Sequence, residues 1–288
     1  MTAAIHNPGL WRLGRIGVAA ATLAVLVWRV GTGPFLDGLR TIDGGALAAA
    51  FGLAVLTTLC CAWRWRTVAR GLGVELRLGT AVAAYYRSLF LNVTLPGGVV
   101  GDVHRGISHG LRAVVYERSA GQVVQIALTV GVLLVLPSPV RTVVPFVALA
   151  LLAAGATLAL VMRARPAREL RAGLLARRAW PAVALASALI VAGHVATFML
   201  AAHTAGATVP ASRLLPLALL VLLGAALPNV GGWGPREGVT AWAFAAAGLG
   251  ASLGVSTAVV YGVMVFVASL PGAAVLVAAW VRNGGRDV

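Results

Sequence analysis

Lysine is absent from this 288-residue chain, and aspartate and glutamate together number only 8. Charged residues make up 11% of the whole, against about 25% in an ordinary soluble domain. That leaves too little polar surface to cover a globule in water, so lipid is the expected solvent. The 2 cysteines, Cys60 and Cys61, are neighbours in an apolar run, which excludes a disulfide framework and a cysteine metal site. No small-residue cleavage site follows the opening MTAAIHNPGLWRLGR, so the first apolar run is expected to stay as a helix and not be removed as a signal.

What is present is 60% hydrophobic, with a net charge of +15 carried entirely by arginine. The missing lysine is what a GC-rich genome would produce. A nucleic-acid partner is excluded because the arginines fall in short clusters between apolar runs. That is the pattern of cytoplasmic loops and of affinity for anionic headgroups.

Six segments approach the length of a membrane span: about 14–33, 44–63, 119–137, 143–162, 181–203 and 253–280. Two further apolar stretches, 80–106 and 214–250, are broken by proline and glycine. Broken backbone survives at membrane depth only inside protein or beside a wet cavity, so each reads as a re-entrant helical hairpin. Arginines crowd the loops after the second span, after the first hairpin and before the fifth span, and they flank both ends of the chain. This predicts a multi-pass protein of the bacterial inner membrane with both termini cytoplasmic. Trp63, Trp65, Trp180 and Trp280 are then expected at the cytoplasmic interface.

Leu91, Leu95, Pro96 and Gly106 recur at a constant offset as Leu223, Leu227, Pro228 and Gly238. The expected fold class is therefore all-α. It is a polytopic membrane helix bundle of six spanning helices plus two re-entrant hairpins related as an inverted repeat. The chain 1–288 reads as one membrane domain, with repeat 1 at about 14–137 and repeat 2 at about 143–280. Chance recurrence of common apolar letters is the competing reading.

A helix restarting after each break carries free amides and partial positive charge at its N-terminus, which favours an anion such as phosphate. In the first break the candidates are Asn92, Pro96, Gly97, Gly98, Gly101, Asp102 and Arg105, with Arg87 flanking. In the second they are Pro228, Asn229, Gly231, Gly232, Arg236 and Glu237, with Pro235 as the first helical position. Arginine suits forked bonds to phosphate oxygens. The alternative is that Asp102 with Arg105, and Arg236 with Glu237 or Asp102, merely lock the hairpins. Glu117 and Arg118 open the third span and are placed to pair with a hairpin. His104 and His109 lack a ligand set, so no metal and no cofactor is expected. His194 and His203 read as packed polar side chains.

The runs SLFLNVTLPGGVVGDVHRG (88–106), VVYERSAGQ (114–122) and PNVGGWGPREG (228–238) resemble the transmembrane-region family of lysylphosphatidylglycerol synthases, flippase-like integral membrane proteins. By that resemblance Asn92, Pro96, Gly97, Gly101, Asp102 and Arg105 match the first motif and Glu117 and Arg118 the middle pair. Gly231, Gly232, Gly234, Arg236 and Glu237 match the last. One departure is Pro228-Asn229-Val230, where a second proline is frequent. The resemblance implies a stand-alone member without the soluble transferase domain.

The function expected is transport of an anionic, phosphate-bearing lipid by a flippase or scramblase, with no catalytic residue. The partner is a membrane phospholipid or a polyprenyl-phosphate lipid, and a cell-envelope transferase and a second copy of the chain are further candidates. Two other readings stay open. One is a non-transporting subunit that anchors such a transferase through the arginine-rich 163–180 loop. The other is an intramembrane lipid phosphatase or phosphotransferase using Asp102 and His104.

Overall fold

The computed structural model describes residues 31–95, 99–136, 179–225 and 233–282, with a few isolated positions besides. The elements are α-helices: α1 (Gly33–Arg40), α2 (Gly44–Gly71), α3 (Leu78–Thr94), α4 (Val100–His109), α5 (Leu111–Val135), α6 (Trp180–Thr204), α7 (Ala211–Ala225), α8 (Pro235–Ala246), α9 (Ala251–Ser269) and α10 (Pro271–Arg282). Four stretches are long and apolar enough to cross a membrane: α2, α5, α6 and the nearly continuous run Ala251–Arg282. At about 1.5 Å per residue, α5 and α6 each reach about 37 Å, beyond the hydrocarbon thickness of about 30 Å. Apart from residues 31–33 and a few isolated positions, the expected spans 14–33 and 143–162 lie outside the described residues, as does the arginine-rich loop 163–178.

The two interrupted stretches each form a helix, a break and a second helix: α3 then α4, and α7 then α8. Leu95 is extended (φ −98, ψ 145) because the proline after it clashes with a helical residue before it, so α3 stops there. Pro235 opens α8 at a position where its missing amide hydrogen costs nothing. The break peptides themselves, 96–98 and 226–232, lie outside the described residues.

Two boundaries differ from the sequence expectation. α2 continues past residue 63 to Gly71, which carries Arg64 and Trp65 inside the helix. α5 begins at Leu111 and not near 119, so Glu117 and Arg118 sit within the span and not at its mouth. Charges tolerate that depth only when paired, and these are.

The packing has a regularity that positions the site. Exchanging α2 with α6, α3 with α7, α4 with α8 and α5 with α9 turns every well-packed pair among these helices into another well-packed pair. The equivalents α2 and α6 pack on each other. They run antiparallel, since Arg64 bonds Ser187 while the earlier Thr57 lies against the later Gly193. One apolar core joins α6, α7, α8 and α9 around Phe198, Phe244 and Tyr261, whose ring centroids lie 6.3 Å (Phe198–Phe244) and 5.7 Å (Phe198–Tyr261) apart. A second gathers Ala62, Trp65 and Ala69 of α2 with Ala81 and Tyr85 of α3 and Ala113 of α5.

Candidate functional site

The first hairpin is held by backbone contact. A Cβ on Gly101 would lie 2.1 Å from the Ser88 carbonyl oxygen, so α4 can cross α3 this closely only with glycine there. The Gly101 amide donates to Asn92 Oδ1 at 2.8 Å, and Asn92 Nδ2 donates to Asp102 Oδ2 at 3.2 Å. Ser88 donates to Asp102 Oδ1 at 3.1 Å. The face of α3 that carries Tyr85, Ser88 and Asn92 therefore seats the first turn of α4.

Around that joint stands a buried ionic cluster. Arg105 is fully buried, and its Nη2 lies 3.1 Å from both Asp102 Oδ1 and Glu117 Oε2. Its guanidinium carbon lies 4.0 Å from the Tyr85 ring centroid and 4.5 Å from that of Trp65, within cation–π range. Nε and Nη1 of Arg105 are buried without a hydrogen-bond partner. Glu117, also fully buried, accepts from Arg64 Nε at 2.9 Å, from Arg64 Nη2, and from the Tyr85 hydroxyl at 2.8 Å. Arg118 pairs with Asp102 Oδ2 at the edge of the cluster, where the arginine side chain is 46% exposed. Among the described residues, three guanidinium groups thus face two carboxylates, leaving one positive charge in excess.

The second hairpin repeats the theme in reduced form. Glu237 Oε2 accepts from the Gly234 amide at 2.6 Å, so the carboxylate at the third helical position holds the N-cap amide of α8; the glycine has no side chain to return the bond. Its Oε1 accepts from Arg236 Nε at 2.9 Å and from Arg236 Nη2. The Arg236 guanidinium lies 5.3 Å from the Tyr261 ring centroid and 5.6 Å from that of Trp233. A Cβ on Gly262 would come within 2.7 Å of Arg236 Nη2, so the glycine makes the space for it. This pair is charge-neutral. Among the described residues no ion pair joins Arg236 to Asp102 or Glu117.

A family model described as the lysylphosphatidylglycerol synthase TM region matches residues 12–272. The chain belongs to that family. Membership in the lysylphosphatidylglycerol synthase TM region family makes it a membrane protein associated with lipid metabolism or transport. No curated protein matches the chain as a relative.

Of the residues that match the family's motifs, the fold brings Asn92, Gly101, Asp102, Arg105, Glu117 and Arg118 into one network. Gly234, Arg236 and Glu237 form the other. Pro96, Gly97, Gly98, Pro228, Gly231 and Gly232 lie outside the described residues. Arg87, on α3, is half-buried and takes no part in the network. The amides of Gly101 and Gly234, both buried, are each engaged by a side chain of this chain, Asn92 and Glu237, because a buried amide without an acceptor costs about 1–3 kcal/mol. His104 is exposed and its neighbour Ser108 donates to its carbonyl at 2.9 Å.

Arg64, Trp65, Tyr85, Trp233 and Tyr261 were not expected at these sites. Arg64 reads in the sequence as a loop arginine and Trp65 as part of an interfacial belt. In the structure Arg64 is 5% exposed and Trp65 fully buried, while Trp63, Trp180 and Trp280 are exposed. The available signal is the helical period. Thr57, Cys61, Arg64 and Val68 follow one another at three- and four-residue steps, so a helix continued past residue 63 puts them on one buried face.

Proposed function

We propose that this chain is a lipid transporter of the flippase or scramblase kind, taking the headgroup of an anionic, phosphate-bearing lipid between its two hairpins. The observation that carries the reading is the surplus guanidinium charge of the first cluster. An uncompensated charge taken out of water costs several kcal/mol, so the cluster attracts an anion. Phosphate matches the forked geometry of arginine, and it can reach Arg118 from the surface by exchanging with the Asp102 carboxylate. The acyl or prenyl chains stay in the bilayer. The lipid is a phospholipid or a polyprenyl phosphate of a bacterial inner membrane, and the arginine distribution supports an orientation with both termini inside.

The exchange relation among the helices, with antiparallel equivalents, supports an inverted repeat whose two-fold axis lies in the membrane plane. Six spans and two re-entrant hairpins fit that arrangement. Such a fold offers the same site geometry to either leaflet in turn, by movement of one repeat against the other.

The test is reconstitution into vesicles with fluorescent phosphatidylglycerol and with a polyprenyl phosphate. Headgroup crossing is expected to exceed that of protein-free vesicles. Arg105→Ala, Arg118→Ala and Arg236→Ala are expected to slow it. Arg118→Ala is the cleanest, since removing a side chain that is 46% exposed leaves no cavity. No acceleration for either lipid sinks the proposal.

A further inference from the structure

We infer that Arg64 is a positioning residue for the first cluster: it occupies the Glu117 carboxylate and so keeps the positive surplus on Arg105 and Arg118, where a phosphate can use it. The inference rests on the headgroup reading above. Three bonds fall on Glu117 Oε1, two from Arg64 and one from the Tyr85 hydroxyl. Oε2 is left with a single bond, from Arg105. Arg105 consequently retains two buried nitrogens without partners.

The seat for Arg64 is built by α5 and α6. Its Nη1 donates to Ser187 Oγ of α6 at 3.0 Å. That hydroxyl donates in turn to the Val183 carbonyl at 2.7 Å, so its lone pair is free to face Arg64. On α5 a Cβ at Gly121, one turn beyond Glu117, would lie 2.5 Å from Arg64 Nη1, so this glycine opens a notch for the guanidinium. The seat therefore fixes Arg64 on Oε1. Without it, Glu117 is released to fork onto Arg105, and the cluster falls from an excess of one positive charge to none.

Removing a charge from a partly buried site weakens an anion's affinity about tenfold. Binding of phosphatidylglycerol relative to phosphatidylcholine is measured on the purified full chain in detergent by native mass spectrometry, with thermal unfolding of each variant alongside. Arg64→Gln is expected to lose about tenfold of the phosphatidylglycerol preference. Arg64→Gln combined with Glu117→Gln restores the charge balance and is expected to recover it. Arg64→Lys, which keeps the charge, retains it. A merely structural role would lower thermal stability and the binding of both lipids together, whereas the charge role changes the phosphatidylglycerol preference of folded protein. If the single variant fails to fold, the double variant and Arg64→Lys carry the test. A double variant without the preference, or Arg64→Gln at wild-type preference while Arg118→Ala loses it, overturns the role of Arg64 and leaves the headgroup reading standing. No preference in the wild type overturns both.

Discussion

Replacing Gly101 with alanine reverses the sign such a change has at helix glycines with open space around them, such as Gly52 and Gly131. Alanine in a helix interior gains about 0.5–1 kcal/mol over glycine. At Gly101 the new Cβ would sit 2.1 Å from the Ser88 carbonyl oxygen and 2.5 Å from Ser88 Cα. Carbon and oxygen rest at about 3.3 Å, so α4 must withdraw from α3 by about 1 Å. That movement stretches the Gly101–Asn92 cap of 2.8 Å and the Ser88 and Asn92 bonds to Asp102. A lost cap costs about 1 kcal/mol, and a weakened bond to a carboxylate about 1.5–3 kcal/mol. Set against the helix gain, the net loss is about 3 kcal/mol. Gly52 of α2 and Gly131 of α5 are the controls, because a Cβ on either meets nothing within 4 Å. Unfolding of the detergent-solubilised protein, followed by tryptophan fluorescence and far-UV circular dichroism, should show Gly101→Ala destabilised and both controls equal to wild type or slightly more stable. Gly101→Ala unfolding together with Gly131→Ala would refute the close-crossing argument.

The same assay tests two further expectations. Glu117→Gln strands Arg64 and Arg105 around a neutral acceptor and should cost about 3–5 kcal/mol, against about 1.5–3 kcal/mol for Tyr85→Phe, which removes one bond to the carboxylate. Equal losses would mean that Glu117 does not hold the cluster by charge. At the crossing of α2 and α6, a Cβ on Gly193 would lie 2.2 Å from Thr57 Oγ1, which is itself tied to the Leu53 carbonyl at 2.7 Å. Gly193→Ala should therefore destabilise by about 1–3 kcal/mol, and adding Thr57→Ala should recover most of it. Failure of that rescue would place the strain elsewhere.

Much of the helix layout is legible in the chain. Leu95 before Pro96, and Pro235 with Glu237 two residues later, mark where helices stop and restart, and the structure follows them. Both arginine–carboxylate motifs were visible as charges inside apolar stretches. The partners were not. Arg64 looks like any arginine that follows a span, and nothing near it in sequence marks Glu117, 53 residues on, or Ser187, 123 residues on, as its acceptors. Tyr85 and Tyr261 look like ordinary aromatic residues of apolar helices until a guanidinium is laid against them.

Composition settles that lipid is the solvent, because 11% charged residues cannot clothe this chain in water. Local chemistry settles where the helices begin and break, because proline, glycine and capping side chains act within a few residues of themselves. Which cation meets which carboxylate, and that three guanidiniums share two acids, is decided by how α2, α3, α4, α5 and α6 cross. Helical periodicity assigns a side chain to a face; only the crossing of helices brings the opposite charge to that face.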